Sequence, residues 1–485
     1  MSRESGSVVR SDSPATSEAS LATSRSRTID EPFKKDKNYR RYASNIDRAL
    51  SLFDSALQEW ADYISFLSKL LKASEPSSYA LLQALQSHPP SLPIVPNRVV
   101  VSKRLAQCLN PSLPSGVHQK ALEVYGYIFE MLPRDQLSQD ITLYLPGIAP
   151  TLAFASLSVR PLFLSLFENY ILHLNPGAIR PALKAILLSL LPGLEDETSE
   201  DFETTLRIVN EFRLLKLGDN GFDGDGTGYF WQTLFLISLT NPGRRAGVLA
   251  YLNKYFPRLG GAGAWSSTST DIEEKREDVE ANSRSVTQPE PGLLIRCFAA
   301  GLTDPQILIQ RSFLDLLVTH LPLHSTLLQN DITAEDMHVL VSAAVSIVMR
   351  RDMSLNRRLW SWFLGPEASG GTDKTWDISS AARATFDSES SSSRYFGQYG
   401  LKPLVSTIKQ MIFSNLDHPS ERAKPFRISL SLMDRWEIGA LIVPEKFFCP
   451  SCEAHSNTRK TARQKLNSTK YSAVLAHSSM ASKAA

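Results

Sequence analysis

Apolar residues recur along most of this chain at the three-and-four spacing of one helical face, and no comparable period-two alternation occurs. The strongest signal lies between Tyr42 and Leu71. Ile46, Phe53, Trp60 and Leu67 recur there every seven residues; Leu50, Leu57, Ile64 and Leu71 form a second row, and Ala49, Ala56, Tyr63 and Leu70 fill the gap. Three adjacent rows make a stripe broader than the two-row seam of a coiled coil. Two readings follow. The segment is a core helix packed against several neighbours, or Ile46, Phe53, Trp60 and Leu67 form a homotypic zipper with a second copy of the chain, giving a homodimer.

After a proline-rich connection, His88 to Pro96, the pattern predicts a helix over Val99–Leu109, stopped at Asn110-Pro111. Another follows over Val117–Met131, with Val117, Ala121, Val124 and Ile128 on its apolar face. Further helices are expected at 162–174, 179–190, 201–216, 229–240 and 244–256, punctuated by Asn175-Pro176-Gly177, Pro192-Gly193 and Asn241-Pro242-Gly243. Asn-Pro steps at 110, 175 and 241 stand 65 and 66 residues apart, which hints at a repeat of several helices. Residues 260–290 are Gly, Ser, Thr and a charged run, too polar to bury a core of their own. Helices resume at 292–301, 304–320, 333–351 and 355–364, and again over 395–448.

Many short helices joined by short turns give an all-α fold, an α-solenoid of the armadillo or HEAT kind. The expected organisation is a disordered leader 1–37, helical repeats 38–259, an insertion 260–290, a continuation 291–364, a Ser-rich linker 365–394, a helical block 395–448 and a basic tail 449–485.

Composition changes this picture little. Lys+Arg 52 against Asp+Glu 50 gives no electrostatic case for nucleic acid. Acidic residues in the Ser/Arg-rich leader argue against a mitochondrial presequence. Residues 141–159 carry no charge, but Pro146, Gly147 and Pro150 interrupt them, so two short buried helices meeting at the prolines are expected there instead of a membrane span. Cys108 and Cys297 sit singly in apolar helical patterns, as small hydrophobes do, which fits a reducing cytosol.

No catalytic constellation emerges, and no cofactor is expected. Gly224-Asp-Gly226-Thr-Gly228 lacks a preceding strand, and a calcium loop from Asp223 and Asp225 would need Glu where Leu234 stands. Cys449 and Cys452 with His455 lack a fourth zinc ligand. Asn467-Ser-Thr469 has the form of a glycosylation acceptor, which a cytosolic chain would not use. Two basic clusters are candidates for anionic lipid: Lys34, Lys35, Lys37, Arg40 and Arg41, and Arg350, Arg351, Arg357 and Arg358. The competing reading of each is a solvated charged surface.

The run Pro93 to Tyr125, PIVPNRVVVSKRLAQCLNPSLPSGVHQKALEVY, resembles the N-terminal region of the Dopey family. Arg98, Lys103, Arg104, Asn110, Pro111, Gly116, His118 and Gln119 carry that likeness. Glu59-Trp60-Ala61-Asp62, SLNRRLWSWFLG at 354–365 and PFRISLSLMDRWEIG at 425–439 extend it in family order. The resemblance implies a protein peripheral to Golgi, trans-Golgi network and endosome membranes, without catalytic residues. It would act with a large Arf-exchange-factor-related scaffold and a P-type phospholipid flippase in endosome-to-Golgi traffic and cell morphogenesis. Dopey proteins are very large, and the tail after about Phe448 departs from their pattern. The alternatives are an unrecognised α-helical hydrolase or transferase, and a truncated partner-binding fragment without membrane delivery.

Overall fold

The computed structural model describes residues 33–56, 59–71, 93–215, 227–259, 284–365, 391–413 and 419–433, with Leu85, Leu217 and Arg435. Helices fill most of these residues, and no strand occurs among them. The chain divides into two compact units, Met1–Phe230 and Trp231–Ala485.

Among the described residues eight α-helices build the first unit: α1 (Lys37–Ala56), α2 (Trp60–Leu71), α3 (Arg98–Cys108), α4 (Ser115–Met131), α5 (Arg134–Ile148), α6 (Arg160–Asn169), α7 (Pro176–Leu190) and α8 (Phe202–Leu214). Helix α9 (Thr227–Thr240) contains the division between the units. The second unit continues with α10 (Arg245–Tyr255), α11 (Gly292–Leu302), α12 (Ile307–His320), α13 (Ala334–Ser346) and α14 (Met353–Leu364). Its last described helices are a short α15 (Ser391–Tyr395), α16 (Leu401–Phe413) and α17 (Pro419–Met433).

Most helices pack chiefly on the next but one, though α1 packs chiefly on α2 and α17 on α16. In the first unit α1, α3, α5 and α7 make one layer and α2, α4, α6 and α8 the other. In the second, α10, α12 and α14 make one layer, and α11, α13 and α16 the other. This two-layer stacking of helical pairs is the α-solenoid arrangement, in which each pair buries its apolar stripes against its neighbours.

Polar rungs between next-but-one helices reveal the period. Asn175 bonds Asp135 and Arg134 bonds the Leu174 carbonyl, each 40 residues away; Arg207 meets Glu168 across 39, and Arg358 meets Asp315 across 43. A repeat of about 40 residues is the armadillo/HEAT length. The Asn-Pro spacing of 65 and 66 is therefore not the structural repeat. Those steps precede α4, α7 and α10, three helices apart, so in the first unit α4 and α7 fall in opposite layers.

Start signals act as their chemistry dictates. The Thr333 hydroxyl accepts from Asp336 N (3.1 Å) to cap α13, and the Asp352 carboxylate accepts from Ser354 N (2.8 Å) and Leu355 N (3.0 Å) to cap α14. Pro176 opens α7, where its missing N–H costs no helical bond.

Three expectations need correction. The stripe from Tyr42 to Leu71 is not one helix: α1 ends at Ala56, a new helix begins at Trp60, and α1 and α2 pack on each other. Asp62 marks the restart, its carboxylate accepting from the Glu59 backbone N–H (3.1 Å). Helix α5 does not break at Pro146 but runs through it to Ile148. So near the C-terminus the proline forgoes one hydrogen bond, and Ala149 N still reaches the Leu145 carbonyl (2.9 Å). Helix α12 begins at Ile307 rather than 304, because Asp304 is held in the turn before it.

Pro176–Leu194 is long and apolar enough to cross a membrane by length and composition, yet 56% of it is buried in the array. The buried core is aromatic as well as aliphatic. In the first unit Tyr125, Phe129, Tyr144 and Tyr170 meet edge to face at ring separations of 5.7–6.2 Å. In the second, rings pass from Trp231 to Phe256 (6.0 Å), Phe298 (5.8 Å) and Phe313 (5.6 Å). Such pairs add about 0.5–1.5 kcal/mol each beyond area burial.

Candidate functional site

The Arg98–Tyr125 region is where the sequence is most distinctive, and most of its polar side chains are spent inside the fold. Arg98, at the start of α3, is buried and donates from Nη1 to Asp140 Oδ1 on α5 at 2.5 Å. Gln136 completes the carboxylate by donating to Oδ2 (3.0 Å). A buried ion pair of this kind fixes the register of two stacked helices, since a slip would strand a charge in the core. Arg104 lays its guanidinium over the Phe53 ring of α1, 4.7 Å from the centroid, while Lys103 beside it is exposed.

The loop between α3 and α4 is similarly built. Asn110 Oδ1 accepts from the Ser112 N–H (3.0 Å) and hydroxyl (2.9 Å), the Asx turn that an Asn-Pro step favours. Its carbonyl lies 2.8 Å from Nε2 of the buried His118, whose ring meets Phe154 edge-on. Gln119 reaches the Ser158 carbonyl (3.4 Å), and Pro111 and Gly116 are exposed. Arg98, Asn110 and His118 thus tie α3, α4 and α5 together, Arg104 reaches α1 and Gln119 the segment before α6; Lys103, Pro111 and Gly116 are left at the surface.

The proposed zipper row does not form a seam. Ile46 and Leu67 are fully buried, and Phe53 is half-buried against Phe66 (5.0 Å) and Tyr63 (6.0 Å). Burial of Ile46 and Leu67 within one chain removes two of the four positions from any contact with a second copy. Trp60 is the fully exposed member, at 59% exposure, because it opens α2 instead of lying mid-helix.

Lys34, Lys35, Lys37, Arg40 and Arg41 are all exposed. Lys37, Arg40 and Arg41 share one face of the first turns of α1, and Asp36 is occupied with the Asn38 N–H (2.7 Å). The other basic cluster is partly engaged: Arg358 pairs with Asp315 (2.5 Å), and Arg350 reaches the Asp304 and Pro305 carbonyls. Arg351 and Arg357 are exposed.

Sequence reading missed the buried partners Asp140, Arg245 and Asp304. Asp140 was detectable, since it sits among Leu137, Ile141 and Tyr144 on the apolar face of α5. Arg245 on α10 donates to Asp304 (2.7 Å) and to the Ser238 carbonyl (2.9 Å), a second buried pair. Its partners lie 59 residues apart rather than about 40, with residues 260–283 falling between them.

Among the described residues no group of three His, Cys, Asp or Glu side chains could hold a metal. Cys449, Cys452, His455, Asp223 and Asp225 lie outside the described residues, as do Gly224 and Gly226. Burial pushes the thiols of Cys108 and Cys297 up to about 12, so both are protonated at neutral pH. A cavity of about 280 Å³ between α13, α16 and α17 is lined by His338, Ser342 and Glu421, among others. His338 Nδ1 has no hydrogen-bond partner there, so it is not engaged with Ser342 or Glu421 as a base would be with its nucleophile.

Burial depresses the imidazole pKa of His320, His324 and His338 below the ordinary value of 6.5. Depressed folded-state values mean that the unfolded chain binds more protons below pH 6.5, so stability is lost as pH falls below that value. The melting midpoint of the second unit is expected to drop between pH 7 and pH 5. In His324→Gln, which removes the group bonded to the Tyr395 hydroxyl (2.8 Å), that acid-side slope should flatten; an unchanged slope would exclude His324 as a contributor.

Two family models match the chain: Dopey, N-terminal, over residues 36–368, and the DOP1 middle TPR domain over residues 395–480. The chain is 56% identical over 459 residues to Protein dop1 of Emericella nidulans, covering 92% of this chain and 24% of that protein. It is 37% identical over 448 residues to Protein DOP1 of Saccharomyces cerevisiae, covering 87% and 25%, and 34% identical over 423 residues to Protein DOP1B of Mus musculus, covering 85% and 16%. It therefore spans about a quarter or less of the length of these relatives. The first family model takes in the whole Arg98–Tyr125 signature and both layers of the paired helical array, and on that match the chain belongs to the Dopey family.

Proposed function

We propose that this chain is a non-catalytic scaffold in endosome-to-Golgi vesicular traffic and cell morphogenesis, at the cytosolic face of Golgi, trans-Golgi network and endosome membranes. It works by contact. The two-layer array presents extended helical faces to partner proteins, here a large Arf-exchange-factor-related scaffold and a P-type phospholipid flippase. Lys34, Lys35, Lys37, Arg40 and Arg41 add attraction to anionic lipid, including phosphoinositides, each exposed cation contributing about 1 kcal/mol near such a surface. The observation that carries the reading is the family match over an array whose buried polar groups hold repeats together, with Trp60 and the α1 cations left accessible.

Affinity purification of the chain from cells is expected to recover both partners, and recovery of neither would overturn the scaffold reading. Because Trp60 is exposed, Trp60→Asp is expected to change stability by no more than about 0.5 kcal/mol. Partner recovery should nevertheless fall, as exposed tryptophans are frequent binding hot spots. Flotation on anionic vesicles should weaken on charge reversal at Lys34, Lys35 and Lys37; unchanged flotation removes that cluster from membrane contact.

A further inference from the structure

Beside the groove between α12 and α14 lies a surface that the reading above does not use. Two rungs set the register of these helices: Arg311 donates to Ser354 Oγ (3.0 Å) and Arg358 to Asp315 (2.5 Å), each across 43 residues. Just before α14 the chain stays close to the start of α12, for Arg350 reaches the Pro305 carbonyl (3.5 Å), so residues 305–311 and 350–354 run beside each other. Leu308 and Met353 are each 69% exposed, and Ile307 and Met349 are also uncovered. Four apolar side chains thus gather at one end of the helix pair, where a soluble surface would ordinarily carry polar ones.

The charge around them is one-sided. Arg311, Arg350, Arg351, Arg357 and Arg358 surround the patch, against Asp315 and Asp352. Asp315 is paired with Arg358, and Asp352 spends its carboxylate on the first turn of α14. Asp304, whose backbone carbonyl Arg350 reaches, has its carboxylate buried against Arg245.

Backbone geometry is unusual at the centre of this basic cluster. Arg351 adopts φ 56 and ψ 29, a left-handed conformation that glycine or asparagine takes at little cost and arginine does not. Among the described residues the only other non-glycine with positive φ is Asn97, a residue type suited to it. Arg351 closes the 3-10 turn Ile347–Arg350 in this conformation, its N–H bonding the Val348 carbonyl (3.1 Å).

We infer that this patch docks an acidic amphipathic helix of a partner protein, whose apolar residues cover Leu308 and Met353 while its carboxylates meet Arg350, Arg351 and Arg357. The residue types favour a protein over a bilayer. Every cation is arginine, which forks onto carboxylates and is enriched with methionine at protein interfaces, where lysine is depleted. A membrane-contact site draws lysine equally and anchors through exposed tryptophan or tyrosine, and neither type is exposed here. The inference is independent of the lipid role assigned to α1.

The test uses the 485-residue chain and two synthetic 20-residue helical peptides. Both carry leucine at i, i+4, i+7 and i+11; one has glutamate on the flanking positions and the other lysine. The glutamate peptide is expected to bind at least about tenfold more tightly, and raising salt from 50 to 200 mM should weaken it. Arg351→Glu with Arg357→Glu should abolish the preference, and Leu308→Ser with Met353→Ser should weaken binding about tenfold or more. Arg351→Gly separates the task from the fold: affinity should fall while the melting midpoint stays level or rises, since the strain is relieved. Equal affinity for the two peptides overturns the inference. So does a melting midpoint lowered by Arg351→Gly, or binding to phosphatidylserine vesicles that the same substitutions remove while the glutamate peptide fails to bind.

Discussion

Asp140→Ala is expected to destabilise the first helical unit by about 3–5 kcal/mol, because it leaves the buried Arg98 guanidinium without its counter-charge. The side chains of this pair are only 7% and 6% exposed, so water cannot take the place of the lost carboxylate without opening the contact between α3 and α5. A marginally stable domain has about 5–15 kcal/mol in total, and a loss of this size removes much of it. Arg98→Met combined with Asp140→Leu removes both charges and keeps apolar volume, and it should restore most of the stability. The measurement is chemical unfolding of the wild type, the two single variants and the double variant. A double variant as unstable as Asp140→Ala would show that the pair contributes through more than the avoidance of an unpaired charge. An Asp140→Ala cost below 1 kcal/mol would show that Arg98 finds another partner or reaches solvent.

The same pair shows what could be read from the chain and what could not. Helix positions were legible because each helix buries one stripe, and stripes recur at fixed spacing whatever lies opposite them. Val117, Ala121, Val124 and Ile128 predicted α4, and all four are buried in it. What lies opposite was not legible. The partner of Arg98 is 42 residues away, and nothing local at Arg98 distinguishes a carboxylate at that distance from any other. Periodicity also misled where a break fell between two helices in phase. Ile46, Phe53, Trp60 and Leu67 keep a seven-residue spacing across the boundary between Ala56 and Trp60, so two packed helices mimic one long seam. The Arg98–Tyr125 likeness located a family, but several of its residues proved to be internal ties, whereas Leu308 and Met353 carried no sequence signal beside the arginines that did. Exposure is a property of the folded register, which local patterning does not encode.

Gly301→Ala is the second substitution with a large expected effect. A methyl group at Gly301, near the end of α11, would stand 2.1–2.4 Å from ring carbons of Phe313 on α12, closer than real side chains approach. Neither partner can give way cheaply. Phe313 is fully buried and stacks edge-on with Phe298 at 5.6 Å, and Phe298 is itself part of the ring series that begins at Trp231 and Phe256. Overpacking of this kind costs about 1–3 kcal/mol, and the rigidity of the ring series puts Gly301→Ala at the upper end. Loss of helical glycine would by itself favour alanine by about 1 kcal/mol, so a destabilised variant reports the clash in excess of that gain. Phe313→Leu alone should also destabilise, by opening space beside Phe298. In the double variant the leucine vacates the volume that the new methyl needs, and the two penalties should not add. A thermal-melt cycle over the four proteins measures the coupling. Strict additivity, or a Gly301→Ala variant more stable than wild type, would mean that α11 and α12 are not held together by the fit of Phe313 over Gly301.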